Sequence, residues 1–426
     1  MSRRSRGHLI TGPRIFFLGM TASNVAIFVF HVALSRIVGP AAYGALGAVL
    51  SLSVVLNVGT GAIQVAITRE VAGSPAGTGL NPSRLLRRGS VLSIVAGSVT
   101  ILLSPLLVRY LHLTSPVAVV FLGIYVAAIV VGLVPKGVLL GEHDFYPVAL
   151  ALAVGAGIRL VIGVALSLIT KDAAGGIAGA AVGEVFTTVI VTRALLSRRA
   201  PSTTERPLSV PLGPLSMTIA SYAGLWLLTG ADTFLARHYL PAIESGLYVA
   251  ASTAGSIALF LPYNVTMSAF PRMAELAAEG RGNIRDVLGP FVNVLLMTIS
   301  ATAVLCLVPG LIIEVLFGAA YKSAVSTLQL LAISNGSLGV VGFLLHHQLA
   351  HHRRTVLLPW ISLIVLVVGA GHMNGRNGIA TLALAATGSL LVVMLTVSAR
   401  VAYQVRGYKG GEPTVDVGPQ IMEKFN

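Results

Sequence analysis

Apolar residues run in long blocks along the chain, and polar residues are confined to the short stretches between them. Twelve blocks can be drawn, at 15–38, 43–67, 90–111, 115–141, 146–170, 173–196, 213–240, 244–270, 286–316, 322–349, 355–373 and 377–402. A helix needs about 20 apolar residues to cross a hydrocarbon core of roughly 30 Å. The blocks meet that length, so the pattern predicts an all-α polytopic membrane protein with about twelve transmembrane helices. The longest polar connections, 70–89 and 197–212, leave no room for a soluble catalytic domain.

Composition supports this pattern. Hydrophobic residues make up 55% of the 426 and charged residues 10%, with a mean hydropathy of +0.86. A soluble domain of this size needs far more surface charge. The 46 glycines suit helices packed through small residues. The single cysteine, Cys306, lies in an apolar block, which rules out an intrachain disulfide and a cysteine metal site.

The net charge of +14 changes the picture only through its distribution. Basic residues sit in short clusters between blocks and form no aromatic-studded basic domain, so no nucleic-acid partner is expected. With the N-terminus inside, 21 Lys and Arg fall on inner segments and 6 on outer ends. Positive-inside bias therefore predicts that both termini are cytoplasmic, in a cell (inner) membrane. MSRRSRG followed by the apolar run from Ile15 resembles a signal peptide. That run is too long and Arg36 follows it, so an uncleaved first helix is expected.

The chain also repeats itself. LSRIVGPAAYGALGAV (34–49) aligns with LARHYLPAIESGLYVA (235–250), placing Arg36 on Arg237, Pro40 on Pro241 and, with one insertion, Gly44 on Gly246. Arg69 falls on Arg272, Pro105 on Pro309, and Lys136 on His346. Six spans per half is an even number, so both halves run the same way across the membrane, as in parallel-repeat transporters. The expected organisation is a first lobe at 1–200, a linker at 201–212, a second lobe at 213–404 and a polar cytoplasmic tail at 405–426.

Several of these stretches resemble the Wzx-type polysaccharide flippases of the multidrug/oligosaccharidyl-lipid/polysaccharide (MOP) exporter superfamily. VGPAAYGALG (38–47) is similar to that family's first loop, and ADTFLARHYLPAIESGLYVAAS (231–252) to the opening of its second lobe. FPRMAEL (270–276), LFGAAYKSAVSTLQLLAIS (316–334) and QLAHHRR (348–354) resemble its later signatures. The resemblance covers nearly the whole chain and implies two six-helix lobes around a central cavity lined with cationic groups. It implies alternating access, a polyprenyl-pyrophosphate-linked glycan as cargo, membrane lipids around it, and glycosyltransferases or a polymerase of a polysaccharide pathway as partners. It implies no bound cofactor beyond a coupling H⁺ or Na⁺, and no enzyme activity.

Ionisable residues inside hydrocarbon are costly and are usually paired or functional. Arg159 and Glu184 fall at one depth, so they are expected either to form an ion pair or to act as an anion ligand with a tuning carboxylate. Lys136 and His346 sit near the inner ends of their spans, where they suit lipid-phosphate capture or, for Lys136, snorkelling to the headgroups. Arg36 and Arg237 are placed at the outer exit as further phosphate ligands. Arginine suits a pyrophosphate because its planar fork makes paired, charged hydrogen bonds. His31 and Asp232, also repeat-related, are candidates for proton coupling, with a local Asp232–Arg237 pair as the alternative. Glu314 is expected to pair with Lys322. Asn24, Asn57, Asn264 and Asn293 are read as helix–helix hydrogen-bonding groups, and Pro135, Pro262 and Pro309 as kinks.

HHQLAHHRR (346–354) is read as a positive-inside edge, with no metal site expected there or elsewhere. The chain contains no HExxH, P-loop, GxSxG or CxxC pattern, so an ATP-driven pump is excluded. Two alternatives to a flippase remain. One is a small-molecule or multidrug antiporter of MATE or major-facilitator type, although the 69–89 loop lacks the acidic signature of major facilitators. The other is a membrane glycosyltransferase or ligase, which the short outer connections disfavour.

Overall fold

The computed structural model describes residues 3–56, 82–197, 223–278, 284–350 and 359–371 continuously, with single positions or short groups between 60 and 71, at 220 and between 378 and 398. The linker 201–212, the tail 405–426, Asn57, Arg69 and the basic run 351–354 lie outside the described residues, as do the side chains of Asn264 and Arg272. The described residues are helical with short turns. The chain is a multi-pass membrane protein, with large apolar side chains such as Leu18, Ile94, Val161, Ile169, Leu296 and Ile299 exposed on the outside of the helix bundle.

In the first half, α1 (Arg3–Leu56) contains the first two spans, followed by α2 (Pro82–Leu102), α3 (Ser104–Tyr110), α4 (Val117–Gly141), α5 (Phe145–Thr170) and α6 (Ala173–Leu196). The second half has α7 (Ala231–Tyr239), α8 (Ala242–Gly255), α9 (Ile257–Ala278), α10 (Ile284–Leu307) and α11 (Pro309–Leu316). A 3₁₀ turn (Ala319–Ala324), α12 (Val325–Ala350) and α13 (Pro359–Gly371) complete it.

The two spans of α1 join at Gly39, whose φ of 74° and ψ of 174° belong to glycine alone. A Cβ on Gly39 would meet nothing within 4 Å, so any penalty there is conformational rather than steric. Gly39→Ala should therefore destabilise the fold by about 1–3 kcal/mol, read as a lower Tm.

The repeat is visible in the backbone. The third span of each half breaks and restarts at the aligned prolines: Pro105 opens α3 after Leu103, and Pro309 opens α11 after Val308. A proline fits the first turn of a helix because its missing N–H would have no intrahelical partner there. The kink expected at Pro309 is thus a break between two helices. Pro135 lies within a continuous α4. In the eighth span the break falls at Ser256, between α8 and α9, rather than at Pro262. The seventh span, expected to be unbroken, is interrupted at Thr229–Gly230 just before α7.

Within the first half, α5 packs on α6 through close glycine contacts at Gly163–Gly179 and Gly155–Gly183. The halves meet where α1 packs against α7 and α8. There, Cβ atoms on Gly44 and Gly246 would lie 2.7 Å from the Gly246 N and 1.8 Å from the Pro40 O, so the two backbones touch. The turns at Gly39, Leu111–Pro116, Lys171–Asp172, Leu240–Pro241 and Phe317–Gly318 alternate with those of the other side. They therefore share one face of the bundle, called here the turn face.

Candidate functional site

The ionisable groups of the first half form a connected cluster. Lys136 on α4 reaches across to α6, where its Nζ donates to Glu184 Oε1 at 2.7 Å. Both side chains are largely shielded, at 12% and 17% exposure. Glu184 therefore pairs with Lys136, correcting the expected Arg159–Glu184 pair, and the Lys136 ammonium is held by that carboxylate rather than snorkelling to headgroups. Thr188, one helical turn beyond Glu184 on α6, donates to the Ala128 carbonyl at 2.8 Å and fastens α6 to α4. Gly132 leaves room for that hydroxyl, since a Cβ there would lie 2.6 Å from Thr188 Oγ1.

Arg159 on α5 is buried in the interior of the first half. Its guanidinium carbon stands 4.5 Å from the centre of the Phe30 ring, a cation–π contact from α1. Tyr125 on α4 lies close to Arg159 and to Ser53. Arg159 Nε is buried with no hydrogen-bond partner among the described residues. Its surroundings include that ring face, Tyr125 and His31, and Glu184 is committed to Lys136. An enclosed guanidinium without a carboxylate on its fork is an unfilled anion position in chemical terms.

His31 and Asp232, the repeat-related pair, each bond a tyrosine of the following helix segment. His31 Nδ1 lies 3.3 Å from the Tyr43 hydroxyl, which lies 3.1 Å from Thr253 Oγ1 on α8. Asp232 Oδ2 accepts from the Tyr248 hydroxyl at 3.0 Å, and Oδ1 accepts from the Thr233 N–H at 2.7 Å. The break at Thr229–Gly230 puts this buried carboxylate in the first turn of α7, where the helix dipole favours negative charge. Asp232 also lines a small pocket with Thr229, Ser334 and Asn335, closed by Leu338 and Leu366. The alternative Asp232–Arg237 pair is not formed, because Arg237 is committed elsewhere.

Arg237 is buried, with its guanidinium surrounded by oxygens. Nε donates to the Leu111 carbonyl at 2.9 Å and Nη2 to the His112 carbonyl at 2.9 Å, while Nη1 reaches the Ala41 carbonyl at 3.3 Å and Ser245 Oγ at 3.2 Å. Arg36 is exposed; its Nε donates to the Leu316 carbonyl at 2.9 Å and its Nη2 to the Val315 carbonyl. Main-chain oxygens therefore hold both forks in this conformation. His346 is buried on α12, with Nδ1 2.6 Å from the Gly342 carbonyl and its ring edge-on to Tyr263. It lies in the second half and Lys136 in the first, and each is bound within its own half. Glu314 and Lys322 form the expected pair, an exposed one at 3.7 Å.

No protein-family profile matches the chain, and no curated protein matches it in sequence. Its shape, however, is shared with solved structures. An inward-facing multidrug resistance MATE family transporter of the MOP superfamily superposes with a TM-score of 0.71 at 12% identity, covering 92% of this chain and 96% of that one. The lipid II flippase MurJ in an inward closed conformation also gives 0.71, at 13% identity over 91% and 87%. The chain has the fold of the MOP transporters. An outward-facing MATE transporter of the same superfamily superposes less well, at 0.59 with 15% identity over 94% and 96%. The two-lobe, all-α expectation stands.

Periodicity missed the groups that complete these sites. Phe30, Tyr125, Tyr43 and Tyr248 read as ordinary aromatics in apolar blocks. The available signal was the rarity of tyrosine hydroxyls at such depth, because a buried hydroxyl needs a partner. The break ahead of Asp232 was marked in sequence only by the Thr229–Gly230 dipeptide.

Proposed function

We propose that the chain is an alternating-access transporter that moves a polyprenyl-(pyro)phosphate-linked oligosaccharide from the cytoplasmic to the outer leaflet, with the turn face outward. The observation that carries this reading is Arg159, a buried guanidinium with no carboxylate partner and a vacant Nε–H among the described residues. A lipid-linked phosphate supplies the anion it lacks, and the paired, charged hydrogen bonds of a planar fork to phosphate are strong. The Lys136–Glu184 pair beside it sets the local field, while the polyprenyl tail remains in the bilayer. Asp232 is the coupling group, a carboxylate in a polar pocket that takes up and releases a cation, H⁺ or Na⁺, as the halves rock. In this reading the protein sits in the cytoplasmic membrane, and positive-inside bias supports both termini being inside.

Asp232→Asn keeps the size but removes the charge and one of the two acceptor oxygens. The expected outcome is that transport loses its dependence on an imposed proton or sodium gradient in proteoliposomes. Retained gradient dependence would exclude Asp232 as the coupling group.

A second reading, a multidrug antiporter, is favoured by the likeness to MATE transporters and by the same carboxylate, which could hold a cationic drug. One reconstituted preparation distinguishes the two, given a short-chain polyprenyl-pyrophosphate glycan with a leaflet-specific label and, in parallel, a cationic dye. The flippase reading expects translocation of the first and none of the second; the reverse would establish the antiporter.

A further inference from the structure

The two repeat-related arginines do the same thing in opposite directions. Arg36, from the first half, binds the carbonyls of Val315 and Leu316, where α11 of the second half ends. Arg237, from the second half, binds the carbonyls of Leu111 and His112, just past the end of α3 in the first half. In each case the target is the short helix that restarts after the aligned proline, Pro309 or Pro105. The last carbonyls of a helix have no intrahelical partner and carry the negative end of its dipole. A guanidinium fork placed there satisfies two carbonyls at once and adds a favourable charge–dipole term.

Other contacts reinforce this crossing. The Tyr321 hydroxyl donates to the Ser35 carbonyl at 2.9 Å. His238 Nδ1 lies 2.9 Å from the Tyr110 carbonyl, and its ring stacks on the Tyr110 ring at 3.8 Å. All of these contacts join one half to the other at the turn face, where Gly44 and Gly246 bring the backbones of α1 and α8 together. The better superposition on the inward-facing than on the outward-facing MATE transporter agrees with a turn face that is shut.

We propose that Arg36 and Arg237 are a reciprocal pair of latches that hold the turn face closed, and that this face opens only when both forks leave the carbonyls of the opposite half. The acceptors in the opposite half are neutral main-chain oxygens, so no acceptor side chain there can be substituted to release a latch; the arginines can. Release frees two guanidinium forks at the outer mouth, where departing phosphates meet them. The proposal rests on the alternating-access reading, but its test uses no substrate and so can fail or succeed independently of what is transported.

The test is a distance measurement across the turn face. Spin labels are attached to Lys171→Cys and Ile243→Cys, both exposed and one in each half, in a Cys306→Ser background, and pulsed dipolar distances are recorded in lipid nanodiscs. The parent protein should show mainly the short separation. Arg36→Gln and Arg237→Gln should each raise the long-separation population roughly tenfold, because each removes charged hydrogen bonds between the halves. The double variant should be mainly long. Arg237 is buried, and its replacement could prevent folding; the exposed Arg36→Gln then carries the test alone. An unchanged short distribution in folded Arg36→Gln would overturn the latch, whether or not the protein flips a lipid. Distances that shift in a protein that moves no lipid-linked glycan would uphold the latch and refute the cargo.

Discussion

Replacing Lys136 with methionine should destabilise the protein by about 3–5 kcal/mol, and replacing Glu184 with leucine should cost about as much. The pair spans α4 and α6 at 2.7 Å, and both partners are largely shielded, so removing one leaves a shielded charge without its partner. Removing both leaves two apolar side chains of similar volume. The double variant Lys136→Met/Glu184→Leu should therefore recover most of the loss, to within about 1–2 kcal/mol of the parent. Denaturant or thermal unfolding of the four proteins in one detergent measures the cycle. Single and double variants with additive losses would mean that the two groups are not coupled and that the pair is not a structural bond.

The second large effect concerns Arg159. Arg159→Ala should reduce flipping of a polyprenyl-pyrophosphate glycan by at least tenfold while leaving the protein folded. The loss of a charged, paired hydrogen bond to phosphate is worth about 1.5–3 kcal/mol, which corresponds to a factor of roughly 10–150. Arg159→Lys separates charge from geometry: it keeps the cation but loses the planar fork and much of the contact with the Phe30 ring. It should recover only part of the rate. Phe30→Leu should have a smaller effect than either, because it removes a contact worth about 0.5–2 kcal/mol and leaves the fork intact.

Much of this architecture can be read from the chain itself. Block length gives the spans, and the repeat gives the correspondence of Arg36 with Arg237 and of Pro105 with Pro309. The structure shows that correspondence as two matched helix breaks and two matched arginine contacts. What the chain does not disclose is rotation. Arg159 and Glu184 fall at one depth, which suggested a pair, yet a depth does not say which way a side chain points around its helix. Lys136 lies nearer its helix end, but a four-carbon stem spans more than a turn and reaches Glu184 first.

Asp232 and Arg237 teach the same lesson at shorter range. Five residues apart on one short helix, they fall on different faces, so Asp232 bonds the adjacent Thr233 N–H and Tyr248 while Arg237 bonds the opposite half. Arg237 looks across to the opposite half, a contact 125 residues away in sequence that no local pattern encodes. The backbone breaks at Ser256 and Thr229–Gly230 are hidden for another reason. Small polar residues are tolerated in continuous membrane helices, so their presence alone does not mark an interruption.

The most direct test of the account is translocation of a labelled polyprenyl-pyrophosphate glycan by the purified protein in proteoliposomes, read by a leaflet-specific quencher. The parent protein should transfer label across the bilayer well above protein-free vesicles, Arg159→Lys should do so weakly, and Arg159→Ala should fall at least tenfold. A parent protein no faster than empty vesicles, or an Arg159→Ala variant as fast as the parent, would contradict the claim that a buried arginine in this fold carries a lipid-linked phosphate.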